Sequence, residues 1–261
     1  MNTLQAIIIA IIEGLTEFLP VSSTGHMILA SSIMQIHEDE FVKTFEIAIQ
    51  IGAILSVLSI YYKRFLVSID IYLKLFVAFL PTGVIGFLAY KTIKTYLFNP
   101  IVVSAMLIIG GVVLIFLDRW TEKKQSKYLE LEHVSYRDAF KIGLIQCLSM
   151  IPGVSRSAAT IFGGIASGFD RRQAAEFSFH LAIPTMIAAT GYDLLKSSSA
   201  MTKNEWMLLG IGLIMAFLSA LVAVKAFVAF LNRYGFKYFG YYRIVLGVLF
   251  LLLVWQLDIQ F

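Results

Sequence analysis

Six stretches of this chain, at 44–62, 72–90, 101–117, 174–192, 206–230 and 244–258, are almost wholly apolar. A hydrocarbon core about 30 Å thick takes about 20 helical residues to cross, and no backbone polar group can stay unpaired inside it. Runs of this length therefore point to transmembrane helices, the shortest of them only just long enough. Composition agrees, with 59% hydrophobic and 15% charged residues. The longest polar stretch, about 118–141, is too short for a separate soluble domain. The expectation is an all-α polytopic membrane protein with one membrane domain over 1–261.

Two further apolar regions are interrupted by polar runs. One reads E-G-L-T-E-F-L-P-V-S-S-T-G-H, Glu13 to His26; the other reads P-G-V-S-R-S-A-A-T, Pro152 to Thr160. The flanks, 4–19 with 24–35 and 140–151 with 157–167, include helices of about 12 residues, which reach only about 18 Å. Pro20, Pro152 and Gly153 break them. Each region is thus expected to be a re-entrant helix hairpin with its loop near mid-membrane, buried in protein or lining a wet cavity.

The net charge of +4 does not call for nucleic acid. With loops 63–74, 118–141, 168–173 and 231–243 on the cytoplasmic side, Lys and Arg divide 14 to 5 in favour of that side. The positive-inside rule then places both termini outside. The single cysteine, Cys147, excludes an intrachain disulfide and a cysteine metal cluster.

The halves, about 1–120 and 135–261, echo each other weakly. Aligning Glu13 with Gln146 brings Leu15, Val21 and Ser22 onto Leu148, Val154 and Ser155. Each half holds one hairpin and three spans. An odd number of crossings inverts the second copy, the logic of many transporters, whose sites lie where the repeats meet.

Ionisable groups at membrane depth are expensive and so mark function. Glu13 and Glu17 share a helix face and repel unless a proton, an arginine or a cation intervenes. A hard divalent cation, Mg²⁺ or Ca²⁺, suits carboxylates and phosphate oxygens together. Among Ser22, Ser23 and Thr24, one hydroxyl is expected to cap the next helix. The others, with His26 beside them, are more than a cap needs: a serine near an imidazole can be a nucleophile. Arg156 offers a bidentate fork to phosphate, with Ser155, Ser157 and Thr160 as added donors. The pairs Glu46/Gln50 and Glu176/His180 are read as helix–helix hydrogen bonds rather than site partners.

These two motifs resemble the signatures of the bacterial undecaprenyl-diphosphate phosphatases, the bacitracin-resistance protein family, over nearly the whole chain. The resemblance implies one active site formed by Glu13, Glu17, Ser23, His26, Ser155, Arg156 and Thr160. It also implies release of inorganic phosphate from undecaprenyl diphosphate, dependence on a divalent cation, and recycling of the carrier lipid for peptidoglycan, with resistance to bacitracin. The expected setting is the bacterial plasma membrane, with the site open to the outer side. In this reading Ser23 attacks the terminal phosphorus with His26 as base or acid, or a metal-activated water attacks instead. Ser22, Thr24, Ser155, Arg156, Ser157 and Thr160 bind phosphate, and Glu13 and Glu17 hold the metal. The membrane setting also allows a homodimer.

Two alternatives compete. Type 2 phosphatidic-acid phosphatases require a histidine and an aspartate where this chain has Phe162 and Ala166, so that reading fails. A polyprenyl-phosphate transporter or flippase would explain the inverted repeat, but a pure carrier has no need of Ser–His beside paired carboxylates.

Overall fold

The structure is a computed structural model that describes residues 1–65, 69–96, 100–121, 126–196 and 201–257. The described residues form helices and no strands. Eleven α-helices follow in order: α1 (Thr3–Thr16), α2 (Ser23–Ile33), α3 (Glu40–Ala48), α4 (Gln50–Phe65), α5 (Ile69–Tyr96), α6 (Pro100–Thr121), α7 (Tyr136–Gln146), α8 (Arg156–Ala166), α9 (Arg171–Lys196), α10 (Lys203–Tyr234) and α11 (Lys237–Leu257). Short 3₁₀ turns cover Leu131–His133 and Cys147–Met150.

Four described segments are long and apolar enough to cross a membrane: Glu40–Lys63, which joins α3 and α4, Ile69–Ala89, Ile101–Thr121 and Lys203–Tyr234. The chain is a multi-pass membrane protein. The expected runs 174–192 and 244–258 lie on α9 and α11, apart from residue 258, which is outside the described residues. α9 opens with Arg171, Arg172, Glu176 and His180, which lower its apolarity. Glu176 and His180 are buried against protein, so lipid never meets them.

Helix breaks occur in both polar motifs, where proline and glycine interrupt the ladder. Among the described residues, only Ser22, Gln35 and Ser155 combine a side chain with positive φ. Ser22 and Ser155 occupy equivalent places, each just before the second helix of its hairpin, at φ 71° and 76°.

The helices pair in a regular way. α6 packs along α11, α1 along α10, α7 along α5, α4 along α10 and α9 along α5. An aromatic cluster fills the centre. Phe179 meets Phe18 edge-on at 5.7 Å between centroids and lies 6.0 Å from both Phe227 and Tyr61. Phe18 belongs to the first motif, so the core braces the motif loop directly.

One expectation is corrected here. Arg243 is not a loop charge: it is fully buried on α11, which leaves the cytoplasmic count at 13 against 5. Lys123 and Lys124, also in that count, lie outside the described residues.

Where the 118–141 connection meets α7, a polar knot closes the fold. Asp138 accepts from Lys127 at 3.0 Å, Lys141 at 2.9 Å, Ser135 at 3.0 Å and the Tyr128 hydroxyl. Burial alone would raise its carboxyl, but these donors outweigh burial and hold it well below the ordinary carboxylate range. A depressed folded pKa adds stability that is present above the unfolded value, near 3.9, and is lost as pH falls through the folded one. Asp138→Asn should therefore destabilise by about 1–3 kcal/mol at pH 7. Its deficit against wild type should shrink below about pH 4. Thermal melting in detergent across pH reads this, and a deficit that does not change with pH would refute it.

Candidate active site

The two motifs meet. Ser23 Oγ donates to Glu17 Oε2 at 2.5 Å, and Arg156 Nη2 donates to Glu17 Oε1 at 3.3 Å. One carboxylate thus joins a hydroxyl from the first hairpin to a guanidinium from the second, 139 residues apart in sequence. Arg156 Nη1 donates to the Ser178 carbonyl on α9 at 2.9 Å, and the guanidinium lies 5.8 Å from the centre of the Phe18 ring. Arg156 Nε is buried without a protein partner. A donor left unpaired in so dry a place is suited to an anionic ligand.

This chain of groups stands at one end of a cavity of about 480 Å³. Glu17, Ser22, Ser23, Thr24, Ser155 and Arg156 line it together with apolar residues of α5 and α9. Three hydroxyl-bearing residues, one arginine and one carboxylate around a single space can orient and bind a phosphate.

Other expected site residues lie elsewhere. His26 does not reach Ser23. Its Nδ1 donates to the Ser22 carbonyl at 2.8 Å, which leaves Nε2 to accept from the Tyr242 hydroxyl at 2.7 Å. Ser157 Oγ donates to the Phe18 carbonyl at 2.8 Å, stitching the second motif to the first. Thr160 Oγ1 is buried against Ser178 Oγ at 2.6 Å and the Arg156 carbonyl at 2.9 Å. Ser157 and Thr160 do not line the cavity; they hold Arg156 and its loop in place. The cap expected at the start of α2 is also absent, since Ser22 makes no side-chain cap bond. Ser155 does cap α8, through the Ala158 amide at 3.2 Å.

Glu13 is fully buried and does not line the cavity. Neither of its carboxylate oxygens has a hydrogen-bond partner, and its charged neighbours are Glu17, Glu46 and Arg156. Three carboxylates around one guanidinium leave negative charge to be balanced, so the donor set fits a hard cation. Among the described residues no three metal-binding side chains gather into a cage. Two carboxylates plus phosphate and water oxygens are the usual shell of Mg²⁺.

The outer pairs are mixed. Gln50 accepts from Thr190 of α9 at 3.4 Å and also lines the cavity. Glu176 pairs with Arg172 at 2.9 Å, and His180 Nδ1 donates to the Glu176 carbonyl at 2.6 Å. These are helix contacts, as expected, while Glu46 belongs with the carboxylates near the site.

Sequence reasoning missed Arg243. Its five N–H groups reach five backbone carbonyls: Nη1 those of Pro20 and Val154 at 3.0 Å each, Nη2 those of Gly153 at 2.7 Å and Met106 at 3.0 Å, and Nε that of Leu107 at 3.3 Å. Helix breaks leave carbonyls without intrahelical partners, and here one side chain serves both breaks. Gly110 makes room for it, since a Cβ there would lie 2.2 Å from Nη2. Gly153, at φ +93°, brings the second loop against α6, where a Cβ would lie 2.4 Å from the Val103 carbonyl. An arginine in an aromatic run, K-Y-F-G-Y-Y-R, was the available signal.

Comparison with known proteins follows the same residues. The sequence model of the family described as bacitracin resistance protein BacA matches residues 6–249, which include both motifs. A Wolinella succinogenes protein named undecaprenyl-diphosphatase is 51% identical over 251 residues, covering 96% of this chain and 98% of its own. Proteins of the same name from Flavobacterium psychrophilum and Aquifex aeolicus are 52% and 49% identical. They cover 97% and 96% of this chain, and 96% and 98% of their own.

Proposed function

The chain belongs to the bacitracin resistance protein BacA family, and on that premise we propose that it hydrolyses undecaprenyl diphosphate to undecaprenyl phosphate and inorganic phosphate. The carrier lipid is thereby recycled for peptidoglycan synthesis, and removal of its diphosphate form underlies bacitracin resistance. The observation that carries this reading is the Ser23–Glu17–Arg156 chain at the polar end of the cavity.

Ser23 Oγ attacks the terminal phosphorus and gives its proton to Glu17, its hydrogen-bond acceptor. The bond from phosphorus to the bridging oxygen breaks, and undecaprenyl phosphate leaves. Water then hydrolyses the phosphoserine and inorganic phosphate departs. Arg156 stabilises the charge on the transferring phosphoryl group, which is where phosphoryl-transfer catalysis is concentrated. Ser22, Thr24 and Ser155 orient its oxygens. His26, bound to Tyr242 and to the Ser22 carbonyl, holds the serine loop in shape. Glu13 and Glu17 would hold a divalent cation, which when bound supplies Lewis-acid neutralisation of the phosphate oxygens.

In the membrane, the chain is a single domain of two inverted halves, with six spans and two re-entrant hairpins. The helix pairing supports this. Exchanging the halves sends α1–α10 onto α7–α5 and α4–α10 onto α9–α5, and returns α6–α11 to itself. The twin positive-φ serines support it too. The excess of cytoplasmic Lys and Arg places the termini outside the plasma membrane and opens the site to the outer leaflet.

Purified protein supplied with undecaprenyl diphosphate and Mg²⁺ should release phosphate, and chelator should abolish release. Ser23→Ala should lower kcat by about a thousandfold or more if Ser23 is the nucleophile. Substantial turnover in that variant would transfer the attack to water. Failure of folded wild type to release phosphate would leave the transporter reading.

A further inference from the structure

We propose that the prenyl chain of the substrate leaves the active-site cavity sideways into the bilayer, through a portal between α5 and α9 formed by Gly83, Gly86, Phe87, Ala188, Ala189 and Tyr192. The inference rests on the phosphatase reading for the identity of the substrate.

The cavity is polar at one end only. Away from Arg156 and Ser23 its walls are apolar residues of α5 and α9. A second, apolar groove of about 440 Å³ runs along α5 and shares Phe79, Gly83 and Phe87 with the cavity. The groove therefore continues the site out to the surface. Phe87 and Leu88 on this surface are 71% and 76% exposed, on a helix apolar enough to cross the membrane. At the mouth, Phe87 of α5 faces Tyr192 of α9, with ring centroids 6.4 Å apart.

The backbone of both walls is consistent with a separation at this depth. α5 carries Pro81 and α9 carries Pro184 within the helix, and such prolines kink helices by removing a hydrogen bond and crowding the preceding turn. Deeper in, Gln146 Nε2 ties Thr82 of α5 at 2.7 Å to Thr185 of α9 at 3.3 Å. The walls are stitched at the inner end and meet only through ring edges at the outer one. A Cβ at Gly86 would have only Met150 Cε nearby, at 3.5 Å, so this wall has space to spare.

A chain that stays in lipid loses no hydrophobic contact when its headgroup enters the site, so only the first prenyl units need a protein groove. The diphosphate could then reach Arg156 without drawing the tail through the polar loops.

Gly86→Trp and Ala189→Trp block the portal from opposite walls. Each should lower kcat/KM for undecaprenyl diphosphate about tenfold more than for farnesyl diphosphate, whose short chain needs less of the groove. Ile214→Trp, on the exposed face of α10, should leave that ratio unchanged. Equal losses for both substrates, or none, would overturn the portal. An undecaprenyl diphosphate analogue with a diazirine in its first prenyl units gives a readout independent of turnover. Adducts should fall on residues 83–88 and 185–192, and adducts on other helices would refute the proposal. Adducts at the portal in a protein that hydrolyses neither substrate would refute the phosphatase reading and leave the portal standing.

Discussion

Arg156→Ala is expected to lower kcat for phosphate release from undecaprenyl diphosphate by about a thousandfold or more, the range seen when an arginine that stabilises a transferring phosphoryl group is lost. The reason is geometric. Arg156 lines the cavity, is anchored through Nη1 to the Ser178 carbonyl and through Nη2 to Glu17, and keeps a buried Nε–H without a protein partner. Truncation removes the cation and leaves Glu17 buried and unpaired. Breaking a buried pair in this way costs about 3–5 kcal/mol of stability, so melting must be followed beside turnover. Arg156→Lys separates the two effects. A lysine keeps the charge as a single point but cannot satisfy Ser178, Glu17 and a phosphate in one plane. It should recover most of the melting temperature and little of the rate. Turnover near wild type in Arg156→Lys would mean that charge alone suffices and that the fork is not used.

Arg243→Met should be the most destabilising single substitution among the charged residues discussed. Five buried carbonyls lose their donors together. Each such loss weighs about 1–3 kcal/mol where no water enters, and these do not simply add. A total of about 3–5 kcal/mol is the expectation. Arg243 touches neither Ser23 nor Arg156, so its effect on catalysis passes through the loops. Arg243→Lys offers three donors in place of five and should fold while releasing phosphate at least about tenfold more slowly, because misplacement of a site by about 1 Å is enough for a hundredfold loss. A purely structural role would lower melting and leave kcat of the folded fraction at the wild-type value. That result would remove Arg243 from the positioning machinery.

The helices, their order and the two breaks were legible in the sequence because their causes are local. Apolar runs of sufficient length can satisfy their backbone only as helices, and Pro20, Pro152 and Gly153 interrupt them wherever the chain goes. The motif residues Glu17, Ser23 and Arg156 were legible for a similar reason: charge and hydroxyl among hydrocarbon are costly at any position. What each polar group pairs with was not legible. Adjacency in sequence offered His26 to Ser23, but on α2 the imidazole turns back to the Ser22 carbonyl and out to Tyr242, and Glu17 takes the hydroxyl instead. Ser157 and Thr160 read as phosphate donors until burial showed them bonded to Phe18 and Ser178. Arg243 read as a loop charge because sequence gives its hydropathy and not its depth. Its partners lie as far as 223 residues away, at Pro20. Hydrophobic length is a property of a segment and can be counted along the chain. A hydrogen bond is a property of two groups within about 3 Å, and only the packing of α1, α6, α8 and α11 decided which groups came that close.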